Sequence, residues 1–361
     1  MPNYTCVQSM TREYYKPVVT PASCDAQAGA GHQRWSTDRL RLDVAVTSAR
    51  EIYSWAGARQ FEDRELTEII GGGPIGTGAF GAFLNSIFGT EGATFTYIGE
   101  ARSDGRSVLH YSYRISKDAS HYQVRAGEGW VVTPYEGDFL VDGETFDLLR
   151  LTIRTGELPL STGTCEIRTR MDYGRVPIGE LELLLPRNTT QHFRLRSGIE
   201  SENTSTFSAC REYRGESTVR FTGDAPAGAA GPADTARAFD RLPADLPVVV
   251  ALAAPLDTWK AAGGDVIPLR LAKPIVDASK RTLVPAGTAI QARIVRVQRF
   301  FTKPQRVTLV MLPETIERAG TRQPFPVAAP AHETQFTGNH VVLRKGYHTT
   351  WYTAGPVITT P

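Results

Sequence analysis

A glycine-rich segment, IIGGGPIGTGAFG at residues 69–81, is the strongest chemical motif in the sequence. It satisfies the GxGxxG pattern twice, from Gly71 to Gly76 and from Gly76 to Gly81. In dinucleotide-binding proteins this pattern follows a strand buried on both faces, and the glycines let the backbone approach a pyrophosphate. Here the preceding residues, FEDRELTE, are too polar for such a strand. We therefore interpret the segment as a connection that lets a helix pack closely on a sheet, and we expect no cofactor.

The histidines and nucleophilic side chains show no catalytic arrangement. His332, His340 and His348 recur every eight residues, but no acidic or cysteine partner accompanies them. The HExxH, GxSxG, Walker A and SxxK motifs do not occur in the sequence. We expect neither a metal site nor an enzyme.

The four cysteines, Cys6, Cys24, Cys165 and Cys210, form no CxxC pair and have no histidine at finger-like spacing, which excludes a zinc ribbon. An even, sparse set in a β-rich chain fits two disulfides and an oxidising compartment, although four buried thiols would also fit. Three connectivities are open. We favour Cys6–Cys24 with Cys165–Cys210, because each pair lies within one local block.

A basic segment, RIVRVQRFFTKPQR at residues 293–306, concentrates positive charge around two phenylalanines. Its five cations are Arg293, Arg296, Arg299, Lys303 and Arg306. Basic residues interleaved with aromatics can hold single-stranded nucleic acid. In an exported protein the same charge suits anionic lipid headgroups, a cell-wall polymer or a protein partner better, and a solvated hairpin rim would also explain it.

The elements that position these residues are mainly antiparallel strands, because apolar residues alternate with polar ones over long stretches. Leu40, Leu42 and Val44 show this alternation. The dipeptides Asp104-Gly105 and Asp142-Gly143 predict two-residue hairpin turns. One segment, Gly78 to Phe88, instead carries a helical apolar stripe, formed by Phe80, Phe83, Leu84, Ile87 and Phe88.

Composition divides the chain in two. Its 40 Lys plus Arg against 38 Asp plus Glu give a net charge of +2. Residues 223–243 are rich in Ala, Gly and Pro, a composition that is typical of a linker. Residues 244–361 hold 14 basic and 7 acidic residues, so the C-terminal part carries +7 and the rest −5.

The fold class we predict is mainly β: residues 1–222 form a large antiparallel sheet or half-barrel with one packed apolar helix, and residues 244–361 form a small basic β-barrel.

Several blocks of the N-terminal part resemble uncharacterised bacterial secreted proteins. These blocks are NYTC (3–6), DRLRLDVAV, REIYSW, GAFGAFLNSIFG, DLLRLTIRTGELP and MDYGRVPIGELELLLP. Their first domain is similar to the lipoprotein-carrier fold of the Lol and Rse type, an open half-barrel with helices over its concave face. The resemblance implies a hydrophobic groove that takes acyl chains, with the Phe80–Phe88 helix as its lid.

The C-terminal part resembles the small β-barrel of TrbI-type secretion-channel components. The blocks that carry this weaker similarity are PLDTWKAAGGDVIPLRLAKPI and LVPAGTAIQARIVRV. It implies a role in an envelope assembly and transfers no catalytic residue.

We therefore expect a non-catalytic protein of the cell envelope, periplasmic or extracellular, that binds a lipid or lipoprotein acyl chain. The alternative is a structural or interaction protein whose basic C-terminal barrel docks on a protein or an anionic polymer.

The sequence holds no apolar run of the ~18 residues that a membrane-spanning helix needs. It opens MPNYTC, with no basic or apolar leader region, so that either the protein is cytosolic or a signal peptide has been removed; the expected disulfides favour removal.

Overall fold

A computed structural model describes most of the chain in two compact units. Unit 1 comprises Met1–Arg214 with Phe300–Lys303, and unit 2 comprises Gly215–Arg299 with Pro304–Pro361. Of the predicted linker, residues 223–241 lie outside the described residues. The described residues are 3–25, 31–47, 50–58, 61, 64–89, 92–103, 105–212, 242–318, 320–328 and 333–355.

Unit 1 is built almost wholly from antiparallel strands, as the alternating sequence predicts. Its strands are β1 (Tyr4–Pro17), β2 (His32–Val46), β3 (Glu51–Trp55), β4 (Ala93–Ser103), β5 (Arg106–Ile115), β6 (Gln123–Ala126), β7 (Gly129–Val132), β8 (Tyr135–Asp142), β9 (Leu148–Thr155), β10 (Thr164–Ile178), β11 (Leu181–Leu195) and β12 (Glu200–Glu212). Its helices include α1 (Leu66–Ile70) and α2 (Ala82–Phe88), and a 3-10 turn lies at Leu160–Thr162.

Ten of these strands pair into one antiparallel sheet, and β6 and β7 form a separate hairpin. The order across the sheet is β3-β2-β1-β12-β11-β10-β9-β8-β5-β4. The first strand of the unit therefore lies between the second and the last. The prediction of a large antiparallel sheet in a mainly β protein is confirmed.

The sheet has one apolar face and one polar face, because successive side chains of a strand point to opposite sides. On β10, Ile167, Met171 and Tyr173 are buried while Arg168 and Arg170 are exposed. The apolar face is covered by residues 66–88, which we call the lid segment. Its side chains join two core clusters with the sheet. No helix among the described residues is long and apolar enough to span a membrane.

The predicted helix is shorter than its apolar stripe. It begins at Ala82, whereas the stripe begins at Phe80. Gly81, directly before the helix, has φ −169° and ψ −30°, which are not helical values. Phe80 therefore belongs to the connection before the helix, although it is as buried as Phe83 within the helix.

The two predicted hairpin turns differ. Strands β4 and β5 pair up to Ser103 and Arg106 around Gly105, as expected, although Asp104 itself lies outside the described residues. The Asp142-Gly143 prediction is wrong, since five residues separate β8 from β9. The Asp142 carboxylate instead accepts hydrogen bonds from the backbone N–H groups of Glu144 and Thr145, at 2.9 and 3.0 Å, and so shapes a longer loop.

The four cysteines form two disulfides, but the favoured pairing is wrong. Cys6 is bonded to Cys210, and Cys24 to Cys165. The pairing of β1 with β12 brings Cys6 beside Cys210 although they are 204 residues apart in sequence. Sheet topology, rather than sequence proximity, therefore decides the connectivity.

Unit 2 consists mostly of strands of two to six residues, together with two strands of 12 and 13 residues. They are β13 (Pro247–Leu252), β14 (Leu256–Asp257), β15 (Val266–Leu271), β16 (Ile275–Val276), β17 (Thr282–Val284), β18 (Ala289–Phe300), β19 (Arg306–Arg318), β20 (Thr321–Pro324), β21 (Val327–Ala328), β22 (Thr334–Thr337), β23 (Val342–Leu343) and β24 (His348–Thr353). Antiparallel pairs join β13 to β24 and β15, β15 to β18, β19 to β20 and β22, and β21 to β24. They enclose an apolar core of their own. A closed barrel stays a prediction.

Candidate functional site

A cavity of about 640 Å³ lies between the lid segment, the β6–β7 hairpin and the apolar face of the unit 1 sheet. Its walls include the apolar side chains of Ile52, Leu66, Phe83, Val124, Ile167 and Phe193. Charged side chains also line it, namely Arg50, Glu51, Arg64, Glu65 and Arg125. An apolar interior with a few charged groups is the usual make-up of a site for an amphipathic small molecule.

The glycine-rich loop of the lid segment is held down by side chains of the sheet. Two of its carbonyl groups accept hydrogen bonds from these side chains, Gly72 O from Arg12 Nη1 (2.9 Å) and Pro74 O from Asn203 Nδ2 (2.7 Å). Its N–H groups donate to side-chain oxygens, Gly76 N to Gln191 Oε1 (3.1 Å), Gly78 N to Glu51 Oε2 (2.8 Å) and Phe80 N to Glu51 Oε1 (2.8 Å). Three of the loop's N–H groups thus donate to the sheet, where a phosphate-binding loop would turn them toward a ligand. The loop is a close helix-to-sheet connection, as its sequence context indicates.

A buried ion pair lies beneath this loop. Arg12 of β1 and Asp38 of β2 are cross-strand partners, 4% and 5% exposed. The guanidinium donates from Nε and Nη2 to the two carboxylate oxygens, at 2.8 and 2.7 Å. Burial alone would lower the pKa of Arg12, but the carboxylate of Asp38 outweighs it and the pKa is raised above its ordinary value. The loop is therefore docked on a charged, fully hydrogen-bonded pair.

The close approach of loop and pair gives a testable prediction at Gly73. A Cβ there would lie 2.7 Å from Arg12 Nη1 and 2.8 Å from the Tyr14 hydroxyl oxygen, and the residue has φ +92°. We expect Gly73→Ala to lower the free energy of unfolding by about 1–3 kcal/mol more than Gly72→Ala. Gly72 is the matched control, since it has φ +101° but nothing lies within 4 Å of the Cβ that alanine would add. Equal losses in urea denaturation would contradict a steric role for this contact.

Of the five side chains predicted to line a groove, the structure brings one to the cavity. The five are Phe80, Phe83, Leu84, Ile87 and Phe88, and Phe83 is the one that lines it. Ile87 is fully buried in the core, Leu84 is half-buried against it, and Phe88 is 46% exposed. Most of the stripe therefore fills the space between helix and sheet.

Phe80 packs in a separate cluster of rings. Its ring centroid lies 6.0 Å from that of Tyr4 and 4.7 Å from that of Phe207, both in edge-on geometry. This contact anchors the lid segment to β1 and β12. Phe80 acts as a core residue of unit 1.

Tyrosines that the sequence did not single out form part of the cavity wall. Burial, followed by the nearby Glu51 carboxylate, raises the pKa of Tyr53 well above its ordinary value, and its hydroxyl donates to Glu51 at 2.6 Å. Burial likewise raises the pKa values of Tyr122 and Tyr135. These hydroxyls stay neutral at physiological pH, so the charge of the cavity resides on its arginine and carboxylate side chains.

The hairpin supplies one of these charged groups. Arg125 of β6 pairs with Glu65, just before α1, and its guanidinium carbon lies 5.7 Å from the ring centroid of Trp130 on β7. Trp130 is also half-exposed and lines the cavity. The ion pair links the hairpin to the residue that precedes the lid segment, and both side chains line the cavity.

No family model and no curated protein matches the sequence. Two solved structures are similar to 60% of this chain, each with 9% sequence identity. One is a putative outer membrane lipoprotein-sorting protein domain from Vibrio parahaemolyticus, of which 87% is covered at a TM-score of 0.29. The other is a DUF1329 family protein from Desulfovibrio piger, of which 88% is covered at a TM-score of 0.30. The TrbI-type resemblance of the C-terminal part stays a prediction.

The predicted basic patch of residues 293–306 is not a single surface. Arg293 is buried and donates to both carboxylate oxygens of Glu314, at 2.6 and 3.0 Å. Arg299 is also buried, and its Nη1 donates to the carbonyl of Thr258 at 2.9 Å. Including these two arginines in the patch was wrong, because unit 2 uses their charges internally.

The other three cations of that segment have different surroundings. Arg296 is partly exposed and pairs with Glu333 at 2.7 Å. Lys303 is exposed, and Arg306 begins β19 in a half-buried position. Binding of an anion by these residues stays a prediction.

The two described histidines of unit 2, His340 and His348, lie in different segments of the chain, the first between β22 and β23. His340 hydrogen-bonds Asp257 at 2.8 Å, His348 begins β24, and His332 lies outside the described residues. Within the described ranges, no three His, Cys, Asp or Glu side chains are arranged to hold a metal ion.

Proposed function

We propose that unit 1 binds the acyl chain of a lipid or lipoprotein in the cavity beneath the lid segment, as a non-catalytic protein of the cell envelope. The observation that carries the proposal is the cavity itself, which has about 640 Å³ of space, apolar walls and charged residues in its lining. This volume lies within the range of about 300–1,000 Å³ that is usual for small-molecule sites.

The lining suits a ligand that is apolar over most of its length. Each methylene moved from water into the cavity contributes about 0.8 kcal/mol, so even part of a long acyl chain yields useful affinity. The arginines of the lining, Arg50, Arg64 and Arg125, can meet a carboxylate, phosphate or ester headgroup. A polar ligand without an apolar tail would not make hydrophobic contacts with the apolar walls of the cavity.

The cysteines support an envelope location. All four are in disulfides, and none is free. Disulfides of this kind form and persist in oxidising compartments such as the periplasm. The alternative role, docking of a protein or anionic polymer on unit 2, rests on the net charge of residues 244–361 and stays a prediction.

Filling the cavity tests the proposal. Ala82, in the first turn of α2, lines the cavity and is exposed, so Ala82→Trp places a large ring there without disturbing the core. We expect native mass spectrometry with palmitate and with a dipalmitoyl phospholipid to show one acyl ligand per wild-type chain. Affinity should fall at least tenfold in Ala82→Trp.

Asn85→Trp is the matched control, because Asn85 is exposed on the same helix and does not line the cavity. It should bind as the wild type does, and both variants should keep the wild-type circular dichroism spectrum. A wild-type protein that binds neither probe, or equal binding by the two variants, would overturn the proposal.

A further inference from the structure

The polar face of the unit 1 sheet, opposite the lid segment, carries a dense group of arginines. Across β5, β8, β9, β10 and β11 the strand register places one row of charged residues side by side. The row is Arg114, Glu136, Arg154, Arg168 and His192. Arg170 lies two residues beyond Arg168 on the same face of β10.

These arginines outnumber the carboxylates that pair with them. Glu136 is shared by Arg114 and Arg154, Glu166 by Arg168 and Arg194, and Asp172 by Arg150 and Arg170. Six guanidiniums thus share three carboxylates, so three positive charges are not balanced within these ion pairs. Each guanidinium retains donors beyond those that a shared carboxylate can accept.

This excess of positive charge faces outward and includes two arginines that are cross-strand neighbours. The arginines Arg114, Arg154, Arg168 and Arg170 have side chains at least 50% exposed, whereas the carboxylates that hold them are at most 32% exposed. In addition, Arg154 and Arg168 are direct cross-strand partners. Like charges in that position are destabilising unless they are neutralised, and Glu136 and Glu166 neutralise them only in part, because each is shared with a second arginine.

The same residues line an open trough of about 1,100 Å³. Its lining carries four arginines against two carboxylates, Glu136 and Asp138, which gives a net charge of +2. Hydroxyl groups alternate with the charges, from Thr94, Thr96, Ser112, Thr152 and Thr190. Positive charge combined with rows of hydroxyls suits a ligand that is both anionic and rich in hydroxyl groups.

The trough lacks what a nucleic acid would use. Among the described residues that line it, the one Phe, Tyr or Trp is Tyr113, which is buried and donates its hydroxyl to the Thr152 carbonyl at 2.8 Å. Binding of single strands relies on bases stacked on exposed aromatic rings. The chemistry therefore favours a sugar polymer over a polynucleotide.

We propose that this trough on the polar face of unit 1 is a binding site for an acidic polysaccharide, whose carboxylates lie against Arg154, Arg168 and Arg170 and whose hydroxyls meet the threonine rows. This site is independent of the acyl-chain cavity, which lies on the opposite face of the sheet. One protein would then hold an apolar ligand on one side and attach to an anionic polymer on the other.

The test uses the full chain with polygalacturonate as the probe and calorimetry at low salt. The double variant Arg168→Gln/Arg170→Gln removes two exposed cations from the trough. Arg102→Gln/Arg106→Gln is the matched control, because it removes the same charge from exposed positions on β4 and β5 that do not line the trough. We expect at least a tenfold loss of affinity in the first variant, less than a twofold change in the control, and weaker binding as salt rises.

Further probes separate the sources of affinity. Neutral dextran should not bind, and polyphosphate and single-stranded DNA should bind at least tenfold more weakly than polygalacturonate. Equal binding of these polyanions would overturn the assignment to a polysaccharide. No binding by the wild type, or equal losses in the two double variants, would overturn the site itself. Palmitate binding should be unchanged in both variants, so a failure here leaves the acyl-chain proposal standing.

Discussion

Arg12→Met is expected to lower the free energy of unfolding of unit 1 by about 3–5 kcal/mol, because it leaves the Asp38 carboxylate buried without its cation. Asp38 is 5% exposed and takes both of its close hydrogen bonds from Arg12. The same substitution removes the donor to the Gly72 carbonyl, so the lid segment loses a point of attachment. Urea denaturation followed by circular dichroism would measure the change.

Two further variants separate the charge from the side-chain volume. Arg12→Met/Asp38→Leu removes both charges and should recover most of the loss, since an apolar pair can replace a buried ion pair at little cost. Arg114→Met removes one partner of an exposed pair with Glu136 and should cost no more than about 1 kcal/mol. If Arg12→Met were no worse than Arg114→Met, the buried pair would not contribute to stability.

Removal of the Cys24–Cys165 disulfide should be comparably costly. The bond closes a loop across 141 residues of sequence separation, and a cross-link of that span stabilises a protein mainly by restricting the unfolded chain. Cys24→Ala/Cys165→Ala is expected to lower the free energy of unfolding by about 2–5 kcal/mol, measured by denaturation without reductant.

Two controls make this result interpretable. Adding a reductant should destabilise the wild type more than the double variant, which retains the bond between Cys6 and Cys210 alone. Non-reducing peptide mapping of the wild type should yield linked peptides that contain Cys6 with Cys210 and Cys24 with Cys165. Peptides linking Cys6 to Cys24 would contradict the observed connectivity.

Much of the fold could be predicted because the decisive signals are local. Alternation at Leu40, Leu42 and Val44 predicts both strand β2 and its apolar face, and all three side chains are buried. The apolar stripe ending at Phe88 likewise predicts that a helix packs on the sheet. The start of that helix could not be predicted from the stripe, since it depends on the non-helical backbone of Gly81.

The sites were harder to predict because their residues meet only through sheet pairing. Arg168 and Arg154 are neighbours because β10 pairs with β9, and no spacing in the sequence marks them as a group. The basic segment shows the converse, since Arg293 looks like a surface cation in sequence but meets Glu314, 21 residues later, inside unit 2. A charged residue's role was decided by which carboxylate the topology brought to it.

The position of β1 has a consequence for how unit 1 forms as the chain is made. This strand is the first of the unit to leave the ribosome or an export channel, yet it pairs on one side with β12, whose residues emerge about two hundred positions later. Until then one edge of β1 has no partner, and the sheet cannot join its two halves. Such distant pairing slows folding, because the chain must lose the entropy of closing a long loop before the stabilising contacts between the two strands can form. While it is being made, the protein therefore keeps an unpaired strand edge that other chains can bind. We expect it to depend on a holding chaperone more than a protein in which neighbouring strands follow one another in sequence.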